Sequence, residues 1–129
     1  MRRKTATTAA GQKPSGFSRV VLAGGRLPGV ETGMSYGTPA LRVKGKLFAR
    51  VWEDGETLVL KVDFDSRDAM LKAQPGIFFV TDHYRGYPAV LARLSMVKNP
   101  QLRILLEDSW RFTAPKKLLA QLARAVSSD

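Results

Sequence analysis

Three short β-prone runs separated by turn residues constrain the fold more than any other feature of this sequence. The runs span residues 40–43, 46–52 and 57–62, and the dipeptides Lys44-Gly45 and Asp54-Gly55 lie between them. Runs of this length that are bounded by turn residues are typical of strands. Asp-Gly is the stronger turn signal, because it supplies the positive φ values that a two-residue hairpin loop needs. The pattern therefore predicts an antiparallel meander.

Helical segments are expected on both sides of this meander. They begin near Ser18, Asp65, Pro100 and Pro115. Asp65 and Asp68 suit capping of the second helix, and the third and fourth helices repeat apolar residues at spacings of three and four. Two further strands are expected at residues 77–80 and 89–94. These elements together predict an α+β fold in which helices pack an antiparallel sheet.

The chain is strongly basic, with 21 Lys and Arg against 11 Asp and Glu and a formal net charge of +10. Such an excess favours polyanionic partners, with nucleic acid ahead of anionic membrane. Residues 1–16 hold four of the basic residues and no acidic residue, which predicts a flexible basic tail before one domain over residues 17–129. No long apolar segment is present, so we expect a cytoplasmic protein.

Several classes of chemistry have no support in the sequence. The chain contains no cysteine and a single histidine, His83, which excludes disulfides, cysteine-based metal sites and multi-histidine sites. The glycine-rich phosphate loops, the Gly-x-Ser-x-Gly elbow and the His-Glu-x-x-His motif do not occur. The acidic residues near Asp54 and Asp65 suit turns and helix starts better than a cation site. We therefore expect no catalysis, no metal and no cofactor.

Four basic residues alternate along the first predicted hairpin. Arg42, Lys44, Lys46 and Arg50 are separated by even intervals, and side chains two residues apart on a strand point to one face. Apolar residues take the other parity, which predicts a half-buried sheet with a positively charged exposed side. A two-stranded ribbon of this kind fits a major groove while its cations neutralise phosphates. The alternatives are a merely solvated face, or a bend at Gly45 that shifts the register.

The run TDHYRGYP at residues 81–88 is the most unusual stretch of the chain. Its candidate pocket residues are Asp82, His83, Tyr84, Arg85 and Tyr87. A carboxylate beside His83 can orient the imidazole toward a substrate or a phosphate. The alternative is that the histidine hydrogen-bonds this connection into shape, and the two tyrosines have the same alternatives.

Several runs of this sequence resemble the MmcQ/YjbR family. They are LPGVE at 27–31, YGTPA at 36–40, GKLFAR at 45–50, TDHYRGYP at 81–88, EDSWR at 107–111 and APKKL at 114–118. The resemblance extends from about Phe17 to Leu119, and the Gly24-Gly25 pair and the basic leader depart from it. It implies an α+β domain of the CyaY-like, or double-wing, type, and a bacterial protein usually filed as DNA-binding.

The favoured interpretation is a nucleic-acid-binding protein, with DNA as the expected partner, bound through phosphate contacts and with low sequence specificity. The residues expected to make these contacts are Arg42, Lys44, Lys46, Arg50, Arg85, Lys116 and Lys117. One alternative is a protein-interaction module in which Trp52, Tyr84 and Tyr87 anchor an acidic partner. For Trp52, burial against a helix is the competing expectation. Another alternative is a pocket for a small anionic ligand around His83.

Overall fold

The computed structural model describes residues 16–35 and 37–127, with side chains described as far as Leu122. Within these residues the helices are α1 (Gly16–Gly24), α2 (Phe64–Ala73), α3 (Asn99–Thr113) and α4 (Lys116–Ser127). The strands are β1 (Val30–Ser35), β2 (Thr38–Val43), β3 (Lys46–Val51), β4 (Thr57–Lys61), β5 (Phe78–Phe79) and β6 (Ala89–Arg93). Single 3₁₀ turns lie at Asp82–Tyr84 and Leu94–Met96. Residues 1–15 of the predicted tail and Tyr36 lie outside the described residues, and Gly16 already belongs to α1.

The strands form one open sheet in the order β1-β2-β3-β4-β6-β5, and every pair of neighbours is antiparallel. The predicted α+β class with an antiparallel sheet packed by helices is confirmed. The strand expected at residues 77–80 is shorter, because β5 contains two residues at the edge of the sheet. None of the described helices is long and apolar enough to cross a membrane.

A two-residue hairpin turn lies between β2 and β3, at the predicted Lys44-Gly45, rather than at Asp54-Gly55. Lys44 and Gly45 have φ values of 50° and 80°, and the flanking residues of the two strands pair directly. Positive φ at both central positions is the mark of a two-residue hairpin turn whose twist matches the strands. The loop after β3 is wider, because β4 begins only at Thr57. The prediction of a two-residue loop at Asp54-Gly55 is therefore wrong.

A β-bulge in β3 breaks the alternation along the first hairpin. Leu41 pairs with Ala49 whereas Arg42 pairs with Leu47, so Phe48 is one extra residue at this step. An extra residue on one strand leaves two side chains opposite one and changes the facing of the residues beyond it. Phe48 and Ala49 are accordingly both buried in the same hydrophobic core although they are adjacent in sequence.

The bulge separates the four cations that the sequence placed on one face. Arg42 and Arg50 do share a face, as the strand register requires. Lys46 instead pairs with Val43, a fully buried core residue, so it projects to the opposite face. Lys44 occupies the turn itself, outside the strands. The prediction that all four basic residues share one face is therefore wrong for Lys44 and Lys46. Side chains two residues apart share a face only where the strand contains no inserted residue.

The two faces of the sheet differ in what covers them. On one face, which we call the helix side, residues from all four helices join the main hydrophobic core. They include Val20, Met70, Leu102, Trp110 and Leu118. On the other, which we call the open face, a smaller cluster comprises Val59, Ala89 and Leu91 with Trp52, Phe79 and Tyr84. None of these residues belongs to α1, α2, α3 or α4, so the described part of the chain leaves this face without a packed α-helix.

Helix α2 begins at Phe64, one residue before the predicted start near Asp65, and its cap differs from the predicted one. Asp63 is its N-cap: Oδ1 accepts a hydrogen bond from the Ser66 backbone N–H at 2.7 Å, and Oδ2 accepts one from Ser66 Oγ at 2.9 Å. These hydrogen bonds from Ser66 lower the pKa of the Asp63 carboxyl below its usual value. The assignment of the cap to Asp65 and Asp68 is therefore wrong, because a cap must precede the first helical turn.

Candidate functional site

One row of cross-strand partners defines the open face across all six strands. The row is Gly33, Ala40, Arg50, Val59, Leu91 and Phe79, each paired with the next. Directly opposed residues of antiparallel strands project to the same face. Arg50 therefore lies beside an apolar strip, in the middle of the sheet rather than at its edge.

Each of four adjacent strands places one basic side chain on the open face. These residues are Arg42 on β2, Arg50 on β3, Lys61 on β4 and Arg93 on β6. The register fixes the last two, because Lys61 pairs with Ala89 and Arg93 pairs with Thr57, on either side of the paired Val59 and Leu91. The single carboxylate among the described strand residues is Glu31, the partner of Arg42. The strand residues of the open face therefore carry a net positive charge.

Sequence reasoning missed Lys61 and Arg93 for a physical reason. Strands β4 and β6 are buried at four of their five positions, so their sequences show no apolar-polar alternation. Without alternation, neither strand indicates which face its single basic residue occupies. Arg93 lies over the Phe79 ring, with its guanidinium carbon 4.3 Å from the ring centroid. That contact positions the cation at the β5 edge of the open face.

Arg50 connects the sheet to the loop at residues 81–88, which we call the 81–88 loop. Its Nη1 donates to Thr38 Oγ1 at 2.7 Å, and its Nη2 donates to the Tyr84 hydroxyl at 3.0 Å. Thr38 in turn donates its hydroxyl to the Ser35 carbonyl oxygen at 2.8 Å. The loop therefore folds over the open face as far as β3, and Arg50 joins the predicted basic site to the predicted 81–88 pocket.

Four rings form an aromatic cluster on the open face: Trp52, His83, Tyr84 and Tyr87. Tyr84 is central, with ring centroids 6.4 Å from Trp52, 4.9 Å from His83 and 6.5 Å from Tyr87. His83 and Tyr87 are themselves 6.0 Å apart. Tyr87 is 56% exposed and His83 is exposed, whereas Tyr84 and Trp52 are half-buried. The expectation that Trp52 packs against a helix is wrong, because it packs against Tyr84 instead.

A buried arginine that the sequence reasoning did not single out holds the 81–88 loop in place. Arg67 in α2 is 8% exposed. Its Nη1 donates to the carbonyl oxygens of Tyr84, Tyr87 and Ala89 at 3.2, 2.9 and 3.3 Å, and its Nη2 donates to that of Arg85 at 3.0 Å. Because a guanidinium presents a fixed fork of donors, one side chain satisfies four carbonyls of an irregular segment.

The predicted pocket within the 81–88 loop is only partly assembled. Asp82 pairs with Arg85 at 2.9 Å, and these side chains are 97% and 70% exposed. The carboxylate therefore bonds to the guanidinium rather than orienting His83. The structure brings His83, Tyr84 and Tyr87 together as rings. It places the Asp82–Arg85 pair on the surface, where such pairs contribute little to stability.

The remaining predicted basic residues lie away from the open face. Lys46 lines a groove with Phe112 and Thr113 at the end of α3, and Leu47 and Lys61 border the same groove at the end of their strands. Lys116 and Lys117 are exposed at the start of α4, directly before Leu118, which is buried in the helix-side core. These three lysines therefore belong to the helix side of the molecule.

A cavity of about 370 Å³ adjoins the aromatic cluster, lined by Thr38, Arg50, Trp52, Glu53 and Asp54. Asp54 organises its wall: Oδ1 accepts from the Glu56 and Thr57 backbone N–H groups at 2.8 and 2.9 Å, and Oδ2 accepts from Thr57 Oγ1 at 2.8 Å. Partial burial raises the pKa of the Asp54 carboxyl, but these hydrogen bonds lower it by more, so it lies below its usual value of 3.8.

Replacing Asp54 with Asn tests this arrangement through pH. A carboxyl whose pKa is lowered on folding stabilises the protein above the unfolded pKa and loses that contribution as pH falls through the folded pKa. We expect Asp54→Asn to lower the free energy of unfolding by about 1 kcal/mol near neutral pH. The difference from wild type should shrink below about pH 3.8. Urea unfolding across pH measures it, with Glu53→Gln in the same loop as the control; a difference that grows in acid contradicts the assignment.

Metal binding gains no support from the described residues, since no three His, Asp or Glu side chains there are grouped as ligands. The acidic residues near Asp54 and Asp63 have the turn and capping partners described above. The chemistry available on the open face is therefore that of guanidinium, ammonium and aromatic groups, which bind anions and flat rings.

Comparisons with known proteins place these elements in a family. A sequence model described as YjbR matches residues 25–112. Uncharacterized protein Mb2600 of Mycobacterium bovis and Uncharacterized protein Rv2570 of Mycobacterium tuberculosis are each 41% identical over 51 residues, which is 40% of this chain and 40% of each relative. No solved structure matches the chain significantly. The matched range covers more than half of the chain, including the whole sheet and the 81–88 loop, and the chain therefore belongs to the YjbR family.

Proposed function

We propose that this protein binds nucleic acid, without catalysis, through the open face of its sheet. The observation that carries the proposal is the set of four basic side chains on four adjacent strands, against one carboxylate, Glu31, among the described strand residues. An extended cationic surface of this kind binds polyanions by releasing their condensed counterions. The overall charge of +10 adds long-range attraction.

The spacing of these cations suits a chain of phosphates. Neighbouring strands lie about 4.8 Å apart, so the four basic residues extend over about 14 Å across the strands. They are staggered along the strands, because Arg93 is level with Thr57, four residues or about 13 Å from Lys61. We call this staggered set of Arg42, Arg50, Lys61 and Arg93 the basic row, and a flexible nucleic-acid backbone that follows the stagger can contact its members with different phosphates. Of the residues that the sequence predicts to contact phosphates, Arg42 and Arg50 belong to this set, and Lys61 and Arg93 are additional members. Lys44, Lys46, Lys116, Lys117 and the paired Arg85 then contribute through general attraction rather than through this row.

The width of the sheet excludes the expected insertion of a two-stranded ribbon into a major groove. Strands β2 and β3 do not form a free ribbon, because β1 and β4 flank them. The whole sheet is about 24 Å wide at the usual strand spacing. A major groove is about 12 Å wide, so the open face lies against a nucleic acid and does not enter a groove. Contacts to phosphates rather than to base edges follow from that geometry, which agrees with low sequence specificity.

Fluorescence anisotropy with the full chain and labelled DNA of random sequence, across a salt series, tests the proposal. The open-face variant carries Lys61→Glu and Arg93→Glu, and the matched control carries Lys116→Glu and Lys117→Glu, with the same change in net charge. We expect the open-face variant to bind about 10- to 100-fold more weakly and its salt slope to fall by about one unit per lost contact. The proposal fails if wild-type binding is absent, or if the control loses as much affinity as the open-face variant.

A protein partner is the second candidate, and the exposure of Tyr87 favours it. Aromatic side chains that are surrounded by Arg are frequent anchors in protein interfaces. A partner with an acidic surface would meet the same open face, and charge would then steer its encounter. In that case the anisotropy measurement shows no binding to DNA, while chemical crosslinking of the full chain to an acidic protein would depend on Tyr87.

A further inference from the structure

The aromatic cluster gives the open face exposed rings, which contacts to phosphates do not require. Tyr87 and His83 present exposed rings at its outer edge, while Tyr84 and Trp52 support them from within. The His83 ring is nearly perpendicular to Tyr84, at 87°, and is inclined by 36° to Tyr87. Aromatic faces on a basic surface are the groups on which bases stack, irrespective of sequence.

Hydrogen bonds within the fold anchor the Tyr84 side chain and the backbone of Tyr84 and Tyr87. The Tyr84 hydroxyl accepts from Arg50, and the Tyr87 backbone N–H donates to the Tyr84 carbonyl oxygen at 3.0 Å. Arg67 fixes the carbonyl oxygens of both tyrosines from inside the fold. A preformed platform loses little conformational entropy on binding, so stacking energy contributes to affinity nearly in full.

Base pairing decides which nucleic acid can use such a platform. In a duplex each base is stacked between its neighbours, and its faces are closed to a protein ring. In a single strand the bases can turn outward and stack on Tyr87 or His83 while the phosphates follow the row from Arg42 to Arg93. The 24 Å width that excludes groove insertion places no restriction on a flexible single strand.

We infer that the open face is a binding site for single-stranded nucleic acid, in which unpaired bases stack on Tyr87 and His83 and phosphates contact the basic row. This inference rests on the proposed function and names its substrate class. The ligand chemistry is an unpaired base on a phosphodiester backbone, which both single-stranded DNA and RNA provide.

The test compares one labelled single strand with the same strand annealed to its complement, using the full chain at fixed salt. A matched RNA strand distinguishes the two sources of unpaired bases. We expect the single strand to bind more tightly than the duplex. Tyr87→Ala should weaken single-strand binding by about 5- to 150-fold, while duplex binding and the single-strand salt slope change little. Tyr87→Phe keeps the ring and should retain the affinity.

Ile104→Ala is the control, because Ile104 is 61% exposed on α3 and lines a groove with Pro100, Arg103, Glu107 and Asp108, none of which lies on the open face. Equal affinity for the single strand and the duplex overturns the inference, as does an equal loss of both on Tyr87→Ala. In either case the proposed function stands if the Lys61→Glu, Arg93→Glu variant still binds nucleic acid more weakly than the wild type. Absence of binding to every probe overturns both.

Discussion

Replacing Arg67 with Met is expected to lower the free energy of unfolding by about 3 kcal/mol. The guanidinium is nearly buried and donates to four backbone carbonyl oxygens of the segment from Tyr84 to Ala89. Met fills much of the volume but donates no hydrogen bond, so all four carbonyls lose the guanidinium. Those of Tyr84 and Tyr87 keep the backbone N–H groups of Tyr87 and Ala89 as donors, whereas that of Arg85 loses the donor that Arg67 supplied. An unsatisfied buried acceptor costs about 1–3 kcal/mol, which outweighs the gain from removing a buried charge.

Urea unfolding followed by circular dichroism measures this loss. Arg103→Met is the control, because Arg103 is an exposed residue of α3 and should change stability by less than about 0.5 kcal/mol. Arg67→Lys should fall between, since an ammonium keeps the charge but lacks the fork that reaches carbonyls on both sides. Equal stability of Arg67→Met and wild type would falsify the role assigned to this residue.

The same variant separates the two components of the open face. Without Arg67 the 81–88 loop loses its anchor, so Tyr87 and His83 are no longer held in place. The basic row lies on the strands and should remain. We therefore expect Arg67→Met, studied below its unfolding transition, to lose the preference for a single strand over a duplex and to keep its salt dependence.

The sequence identifies most of the helices and strands, but it does not determine which face of the sheet each side chain on a strand projects to. Apolar spacing in α3 predicts a buried stripe, and Leu102, Leu105, Leu106 and Trp110 are indeed buried. Local pattern determines such a helix, because its period depends on the helix alone. The facing of Lys46 depends instead on one inserted residue, Phe48, whose position is set by packing against the helices. No local signal in GKLFAR distinguishes a regular strand from a bulged one.

The candidate site was likewise predictable only in part from the sequence. The 81–88 loop stands out in sequence as unusual, yet its anchor lies in α2, where Arg67 reads as one more helical cation. One signal was present: Arg67 lies three and four residues before Met70 and Leu71, which pack against the core, and so belongs to the inward stripe of α2. A basic residue on an inward stripe needs buried acceptors, and irregular backbone supplies them. Which backbone supplies them depends on long-range packing that the sequence alone does not reveal.

Removing Trp110 is expected to have the largest effect on stability. Its side chain is fully buried in the helix-side core, and Nε1 donates to the Pro28 carbonyl oxygen at 2.9 Å, joining α3 to the segment before β1. Trp110→Ala leaves a large cavity and an unpaired carbonyl, so we expect a loss of about 3–5 kcal/mol. Trp110→Phe keeps most of the volume and loses the hydrogen bond, which predicts a loss of about 2 kcal/mol.

Thermal and urea unfolding measure both variants, with Phe112→Ala, two residues further along α3, as an exposed control that loses less than about 1 kcal/mol. Trp110 lies on the helix side, in the main hydrophobic core, which contains none of the basic row. The folded fraction of Trp110→Phe should therefore bind a single strand as wild type does, once affinity is corrected for the population that is folded. A weaker affinity after that correction would mean that the helix side takes part in binding, and the open face alone would no longer account for the site.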